Sequence, residues 1–321
     1  MTAPMGETSD RKPQGQPLAT DAAGLSFQNP VLLAAGTAGF GRELDGVVQL
    51  RRLGGLVTKA VSPEPRRGAR PPRVAEFDGG MINAVGLANP GLDAARADDI
   101  PWLARNVPPA RVIVNVVGSV VDDYAVVVAG LADVQGIDAF ELNVSCPNVK
   151  AGGMEFGADA RALSDVVRGA RSATARPVFV KLSPMLPDIV ASAQVAVDNG
   201  ADGLTLVNTL PGLVIDVDTR RPALGFGSGG VSGPGLLPIG VLATWKVRRA
   251  LSVPLIGVGG VSKAEDIVQY MLAGATLVGV GTAALRDPRL PERLVVDLQT
   301  WCTSHGVASL SQLVGALEWP V

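Results

Sequence analysis

The chain contains few of the residues that form metal sites and disulfides. Its 321 residues include two cysteines, Cys146 and Cys302, and one histidine, His305. Two cysteines this far apart give neither a disulfide framework nor the spacing of a zinc or iron–sulfur site. We therefore expect no bound metal, and a reducing cytoplasm is the predicted location.

Long apolar runs and strong net charge are also missing. No apolar run reaches the ~18 residues of a membrane span, and the polar N-terminus lacks the layout of a signal peptide. The formal charge is −2, which gives no reason to expect nucleic acid or a membrane as partner. The sequence predicts a disordered N-terminal tail over residues 1–24, followed by a single domain over 25–321.

Short apolar runs rich in β-branched residues are abundant in a chain that is 47% apolar. Amphipathic stretches typical of helices separate most of them. The predicted strands are 30–35, 55–61, 111–117, 139–145, 177–183, 203–209, 253–258 and 276–281. The predicted helices are 43–53, 122–134, 159–173, 188–199, 237–251 and 263–273.

Eight apolar strands alternating with helices predict a (β/α)8 TIM barrel, with an active site at the C-terminal ends of the strands. An open doubly wound sheet is the alternative. Two connections, at about 62–110 and 210–236, are too long for simple links. Long loops on a rigid scaffold usually carry function, so we expect these insertions to cover the site.

Five successive predicted strands carry an amide or an amine near their C-terminal ends, where a core built for stability would carry Val or Ile. A lysine in an apolar strand is costly to bury unless an anion meets it. The pattern therefore predicts a site for an anionic or electron-rich ligand. The five residues are Lys59, Asn115, Asn143, Lys181 and Asn208.

Glycine-rich turns end the seventh and eighth predicted strands. Such turns at these two positions hold a phosphate in many barrels, and Ser232-Gly233-Pro234 is expected on the same side. A phosphate at one edge, with amines and amides across the mouth, favours FMN as cofactor. The turns are Gly259-Gly260 and Gly281-Thr282.

A thiol follows the fourth predicted strand. Cys146 stands in the run Asn143-Val144-Ser145-Cys146-Pro147-Asn148. A thiol with a pKa near ~8.5 can act as a nucleophile or as a proton acceptor. Cys302 has no such surroundings and is interpreted as structural.

These motifs resemble the dihydroorotate dehydrogenases over about residues 26–290. The segment 143–150 is similar to the family's catalytic loop, 81–91 to its substrate-carboxylate loop, and the glycine turns to its flavin-phosphate turns. The cysteine at position 146 makes the loop similar to that of class 1, since class 2 has a serine there. The form of 83–91, with Lys150-Ala151-Gly152-Gly153, is most similar to the class 1B catalytic subunit.

The resemblance implies oxidation of (S)-dihydroorotate to orotate in de novo pyrimidine biosynthesis. Cys146 would be the base at C5, while C6 passes hydride to N5 of FMN. The implied substrate-binding residues are Lys59, Asn83, Ala84, Val85, Gly86, Leu87, Asn143, Asn208 and Thr209. The implied FMN-binding residues are Ala35, Lys59, Ala60, Asn115, Asn143, Lys181, Val207, Gly233, Gly259, Gly260, Gly281 and Thr282.

The resemblance also implies partners. It points to a homodimer, to an FAD/[2Fe–2S] electron-transfer subunit and to a heterotetramer, and it leaves open whether NAD or fumarate is the final acceptor. One departure is Ala34-Ala35-Gly36, which stands where relatives often have Ala-Ser-Gly, so a side-chain hydroxyl contact to the flavin is absent.

Three other interpretations are open from the sequence. Another FMN barrel acting on a dihydropyrimidine would share the thiol and the amides. An aldolase-like barrel would use Lys181 as a Schiff-base amine. A barrel acting only as a binding subunit would show no turnover.

Overall fold

The computed structural model describes residues 18–145 and 155–320. The strands within these ranges are β1 (Thr20–Ala22), β2 (Leu25–Phe27), β3 (Val31–Leu33), β4 (Gly55–Val57), β5 (Val74–Phe77), β6 (Gly80–Asn83), β7 (Arg111–Val116), β8 (Ala139–Asn143), β9 (Val178–Leu182), β10 (Gly203–Leu206), β11 (Leu210–Gly212), β12 (Ile215–Asp216), β13 (Arg221–Pro222), β14 (Gly229–Ser232), β15 (Leu255–Val258) and β16 (Leu277–Val280). The helices are α1 (Leu92–Ala94), α2 (Ile100–Asn106), α3 (Val121–Leu131), α4 (Ala160–Ser172), α5 (Ile189–Asp198), α6 (Leu237–Ala250), α7 (Ala264–Ala273), α8 (Thr282–Arg286) and α9 (Leu290–Ser304).

Eight of the strands close into a parallel barrel. Their order around it is β10-β15-β16-β3-β4-β7-β8-β9, so each strand pairs with its neighbours in the chain once the inserted strands are set aside. These eight coincide with the eight predicted strands, and the closed sheet excludes the open alternative. The prediction of a TIM barrel is confirmed.

The barrel strands are buried on both faces, which is why they read as continuous apolar runs. Inward-facing residues such as Leu32, Val57, Ile113 and Phe179 form a compact inner cluster that is almost fully buried. The outward faces pack under the helices in a second, larger cluster. Because side chains alternate along a strand, residues two positions further on face the same interior.

The two long insertions meet in one sheet above the barrel. The first contributes the antiparallel pair β5–β6, and the second contributes β11 and β14. Strand β14 pairs with β6 through Gly230↔Asn83, Val231↔Ile82 and Ser232↔Met81. This pairing brings the predicted substrate loop beside the predicted phosphate segment.

Two predictions of local structure are wrong. The expected helix at 43–53 is instead two short 3-10 turns, Arg42–Leu44 and Leu50–Arg52. Part of the expected N-terminal tail, Thr20–Ala22, forms β1 and pairs with β2, since Ala22 and Phe27 pack against the inner cluster. The other five predicted helices are present as α3 to α7.

None of the helices in the described ranges is long and apolar enough to cross a membrane.

Candidate active site

The predicted amines and amides share one end of the barrel interior. Asn115, Asn143 and Lys181 continue the inward faces of β7, β8 and β9 beyond the apolar cluster. Asn143 is the register partner of Lys181, which is in turn the partner of Thr205 on β10. Lys59 follows β4 two residues after the inward-facing Val57, and its backbone N–H donates to the carbonyl of Gly39 at 2.7 Å.

Asn143 and Asn208 contact each other directly. The Nδ2 of Asn208 donates to Oδ1 of Asn143 at 3.3 Å. Asn208 Oδ1 is itself engaged, because it accepts from the backbone N–H of Thr209 at 2.8 Å. The side-chain oxygens of Asn143 and Asn208 are therefore both engaged within the protein. N–H groups on the two side-chain amides remain to donate to a ligand.

The two lysines are available to an anion. Lys181 is only 7% exposed, and Lys59 is half-buried. Among the described residues, neither side chain forms an ion pair or a hydrogen bond. A buried ammonium without a protein partner is costly, so the pair fits an electron-rich or anionic ligand.

The inward-facing Glu141 was not singled out from the sequence. It is 1% exposed, and its carboxylate accepts hydrogen bonds from Nδ2 of Asn115 and from Oγ1 of Thr205, both at 2.7 Å. The alternation of β8 was the signal that could have revealed it, since Glu141 shares a face with Asn143.

The predicted substrate loop, residues 83–87, follows β6. Asn83 donates from Nδ2 to the carbonyl of Gly230 at 3.2 Å, and Ala84 N–H donates to the carbonyl of Arg73 at 2.8 Å. A Cβ on Gly230 would stand 2.2 Å from Oγ1 of Thr209. Glycine at 230 therefore lets Asn83 and Thr209, both expected to bind substrate, approach the same point of β14.

The rest of that loop is held through its carbonyl groups by donors outside it. Val85 accepts from the N–H of Ala69 at 3.0 Å, and Leu87 accepts from Nδ2 of Asn89 at 2.8 Å. Gly86 and Leu87 both have positive φ, 67° and 56°. The backbone of the loop thus follows a defined path after β6.

The predicted phosphate turns lie together. Thr282 donates from Oγ1 to Oγ of Ser232 at 2.7 Å, joining the start of α8 to the end of β14. Gly259 and Gly260 have φ of 127° and 76°, and a Cβ on Gly260 would stand 2.6 Å from the backbone N of Leu237 at the start of α6. Gly233 and Gly281 flank Ser232 and Thr282 in the chain, so all the predicted turn residues belong to one rim.

Tyr270, which sequence reasoning missed, supports this rim from below. It is fully buried, and its hydroxyl donates to the carbonyl of Gly259 at 2.9 Å. Burial, with a smaller contribution from Asp266, raises the pKa of Tyr270, so the hydroxyl remains a donor. The ring occupies the space beside Gly257, where a Cβ would stand 2.2 Å from it.

The remaining predicted flavin contacts are near the same end of the barrel. Ala35 packs at the edge of the inner cluster, and Ala60 is 8% exposed beside Lys59. Val207 donates its N–H to the carbonyl of Val258 at 3.0 Å.

Cys146 lies outside the described residues. The strand that leads to it is well anchored, because Tyr124 on α3 donates to the carbonyl of Asn143 at 2.8 Å. Beyond the undescribed segment, burial raises the pKa of Glu155 while a hydrogen bond with Ser183 opposes the shift. Cys302 is buried in α9, and the described residues contain no cluster of side chains suited to a metal ion.

These features define a (β/α)8-barrel protein whose mouth suits a ligand with an anionic group at one end and a flat, hydrogen-bonding ring at the other. The residues fit a phosphorylated flavin, because the barrel end that carries the glycine turns also carries amides and two ammonium groups without a partner in the described ranges. A family model described as dihydroorotate dehydrogenase matches residues 17–301. The chain belongs to the dihydroorotate dehydrogenase family.

Two curated relatives give the same result over nearly the full length. The chain is 46% identical to "Dihydroorotate dehydrogenase B (NAD(+)), catalytic subunit" of Pelobacter propionicus, over 92% of this chain and 97% of that protein. It is 48% identical to the protein of the same name from Desulforudis audaxviator, covering 92% and 95%. The resemblance to class 1B is confirmed.

A solved structure shares the fold. The dihydroorotate dehydrogenase of Eimeria tenella, in complex with ferulenol, superposes with a TM-score of 0.80 and 23% identity, covering 96% of this chain and 90% of that one. At this identity the likeness concerns the barrel architecture alone.

Proposed function

We propose that this chain oxidises (S)-dihydroorotate to orotate in de novo pyrimidine (UMP) biosynthesis, with FMN as its flavin. The observation that carries the proposal is the hydrogen-bonded pair Asn143 and Asn208 beside Lys181, which has no partner among the described residues, at the barrel end that leads into the Cys146 segment. The family match does not favour a different dihydropyrimidine as substrate.

The amides and the amines would hold the two flat rings. Asn143 and Asn208 retain N–H groups for the carbonyl oxygens of the substrate, together with Lys59, Thr209 and the 83–87 loop. Lys181, Asn115, Ala35, Ala60 and Val207 would lie against FMN. When bound, FMN supplies the hydride acceptor for the hydrogen at C6 of the substrate.

The glycine rim would hold the FMN phosphate. Gly233, Gly259, Gly260, Gly281 and Thr282 offer backbone N–H groups along adjoining turns, while the Thr282 hydroxyl already donates to Ser232. Bare N–H groups at the ends of the seventh and eighth barrel strands are a common phosphate site in this fold.

Cys146 would act as the base. The proton at C5 of dihydroorotate is next to a carbonyl and is weakly acidic, so its removal needs a group such as a thiolate. Loss of the C5 proton to Cys146 and of hydride from C6 leaves the C5–C6 double bond of orotate.

The relatives are named catalytic subunits, which favours a partner for this chain as well. We propose an FAD/[2Fe–2S] electron-transfer subunit that links the flavin to NAD, bound to a homodimer of this chain in a heterotetramer. A cytoplasmic location remains a prediction. Light scattering should give twice 32.9 kDa, about 66 kDa, for the isolated chain, and a monomer would contradict the homodimer.

The absorption spectrum of the purified chain tests the central proposal. We expect the bands of an oxidised flavin, released FMN on denaturation, and bleaching when dihydroorotate is added without oxygen. A colourless protein, or a flavin that stays oxidised with substrate, would contradict it. Borohydride trapping with a carbonyl substrate would instead support a Schiff base on Lys181.

A further inference from the structure

Glu141 is a buried carboxylate beside the site without a cationic partner in the described residues. It is 1% exposed, and both of its hydrogen bonds come from neutral groups, Asn115 and Thr205. Strand β7 places Asn115 directly opposite Glu141 in the parallel register. An apolar residue would fill this layer without the cost of burying a charge, so the carboxylate needs an explanation beyond packing.

A carboxylate has a directional effect on the amide next to it. An ionised carboxylate accepts hydrogen bonds and donates none. The atom of Asn115 that faces Glu141 at 2.7 Å must therefore be Nδ2, and Oδ1 must point elsewhere. Within the described residues, no group donates a hydrogen bond to Oδ1 of Asn115. This oxygen is also not fully enclosed by protein, so a ligand could reach it.

The other polar side chains at this end of the barrel are donors, so an acceptor from Asn115 complements them. Lys59, Lys181, Asn143 and Asn208 all offer donors, as described above. Asn115 is the member of the predicted FMN-binding set whose side chain is fixed as an acceptor. A flavin and a dihydropyrimidine both carry an imide N–H between two carbonyl groups, and such an edge needs one acceptor among donors.

We propose that Glu141 is a positioning residue that locks Asn115 with Oδ1 towards the mouth, so that the site can accept the N–H of a cyclic imide. The inference depends on the proposed function for its ligands, FMN and dihydroorotate. Glu141 acts through Asn115 and does not touch the ligand itself.

The variant Glu141→Gln tests the orientation with little change in shape. Glutamine can present either its oxygen or its nitrogen to Asn115, so the amide of Asn115 is no longer forced into one orientation. The readout is the ratio of the dissociation constants of N3-methyl-FMN and FMN for the FMN-stripped full chain, since methylation removes the imide N–H. We expect this ratio to fall at least about fivefold in Glu141→Gln.

Two further variants separate positioning from stability. Thr205→Val removes the other donor to the same carboxylate and leaves Asn115 facing it, so the ratio should stay within about twofold of wild type. The double variant Glu141→Gln/Asn115→Asp exchanges the two side-chain groups, with the amide now at position 141 and the carboxylate at position 115. Its glutamine donates to the carboxylate introduced on β7, whose second oxygen again faces the mouth, and the ratio should recover.

A second arm distinguishes the two ligands. Orotate is titrated into the FMN-loaded variants and followed by the flavin spectrum. A weakened orotate affinity with an unchanged FMN ratio would assign the acceptor to the substrate, and the reverse would assign it to the flavin. An equal loss of affinity for both flavins with unchanged orotate binding, or no recovery in the double variant, would overturn the proposal.

If Glu141→Gln fails to fold, the double variant still tests the proposal. It retains one carboxylate in the layer, and a wild-type ratio is expected. The imide test is also separate from the proposed function. A chain that discriminates the two flavins but is not reduced by dihydroorotate would contradict the activity and leave the role of Glu141 intact.

Discussion

Asn208 donates a hydrogen bond to Asn143 across 65 residues of sequence, from Nδ2 to Oδ1 over 3.3 Å. Strand β9, which carries Lys181, lies between β8, which ends at Asn143, and β10, which Asn208 follows by two residues. The bond therefore spans three neighbouring strand ends and fixes the direction in which each amide can serve a ligand. We therefore expect the pair to orient the substrate in a way that neither residue could alone.

Replacement of Asn208 by aspartate should weaken substrate binding selectively. The variant is nearly isosteric, but it has no N–H to give to Asn143 and places two oxygens together. We expect the orotate dissociation constant to rise at least about tenfold, the equivalent of one lost hydrogen bond to a buried partner. FMN content should be unchanged. The exposed Asn106 provides the control, since Asn106→Asp should leave orotate titrations unaltered.

Replacement of Cys146 by alanine should separate flavin binding from catalysis. The proposed base is removed, so turnover should be nearly abolished while FMN stays bound. A residual rate above about a tenth of wild type would count against the assignment, because general base catalysis usually contributes far more. Cys302→Ala is the matched thiol deletion, and it should keep its turnover. The wild-type rate should rise with pH until the Cys146 thiol is ionised, and an unperturbed thiol has a pKa of about 8.5.

Replacement of Lys181 by alanine should affect the flavin. Its ammonium is buried and has no protein partner among the described residues, so its proposed partner is FMN, where a cation stabilises the charge gained on reduction. We expect weaker FMN binding or slower anaerobic reduction, measured by titration and stopped flow. Unchanged values in both would contradict the role. The control is the same substitution at an exposed lysine on α6, Lys246→Ala.

Much of the architecture could be predicted because the barrel strands are buried on both faces. Strands such as β9, Val178–Leu182, stand out as apolar runs, and a polar residue inside one, such as Lys181, is conspicuous. The candidate amines and amides were identified by this contrast, and their roles in binding stay a prediction. The helix at 43–53 was not correctly predicted, because its apolar spacing fits a helix while the chain forms only two tight turns.

Contacts between distant segments could not be read in the same way. Glu141 and Thr205 are 64 residues apart, and only the closed barrel places them in one layer. The pairing of β6 with β14 joins two insertions whose own sequences are rich in glycine and arginine. Tyr270 has the spacing of an ordinary helical core residue, and only its hydroxyl contact with Gly259 reveals its position under the rim.

Removal of the Tyr270 hydroxyl should loosen the phosphate rim. Tyr270→Phe leaves the Gly259 carbonyl without its donor, and we expect a loss of about 1–3 kcal/mol in the free energy of unfolding. FMN affinity should fall about threefold to tenfold. Tyr124→Phe is the comparison, because its hydroxyl contacts the carbonyl of Asn143. That variant should lose stability with a smaller fall in FMN affinity than Tyr270→Phe shows, and equal FMN effects in both variants would contradict the prediction.

The half-buried carboxyl of Glu155 should make stability depend on pH in a defined direction. Burial raises its pKa in the folded chain, and the hydrogen bond with Ser183 only partly offsets this. The folded state therefore binds the proton more tightly than the unfolded state. The destabilisation is fully present above the folded pKa and disappears as pH falls below the unfolded value. Glu155→Gln cannot ionise, so its Tm should exceed that of wild type at about pH 7, and the difference should vanish below about pH 4. The control is the same substitution at an exposed position, Glu318→Gln. A Tm difference that is independent of pH would show that the charge of Glu155 is not the cause.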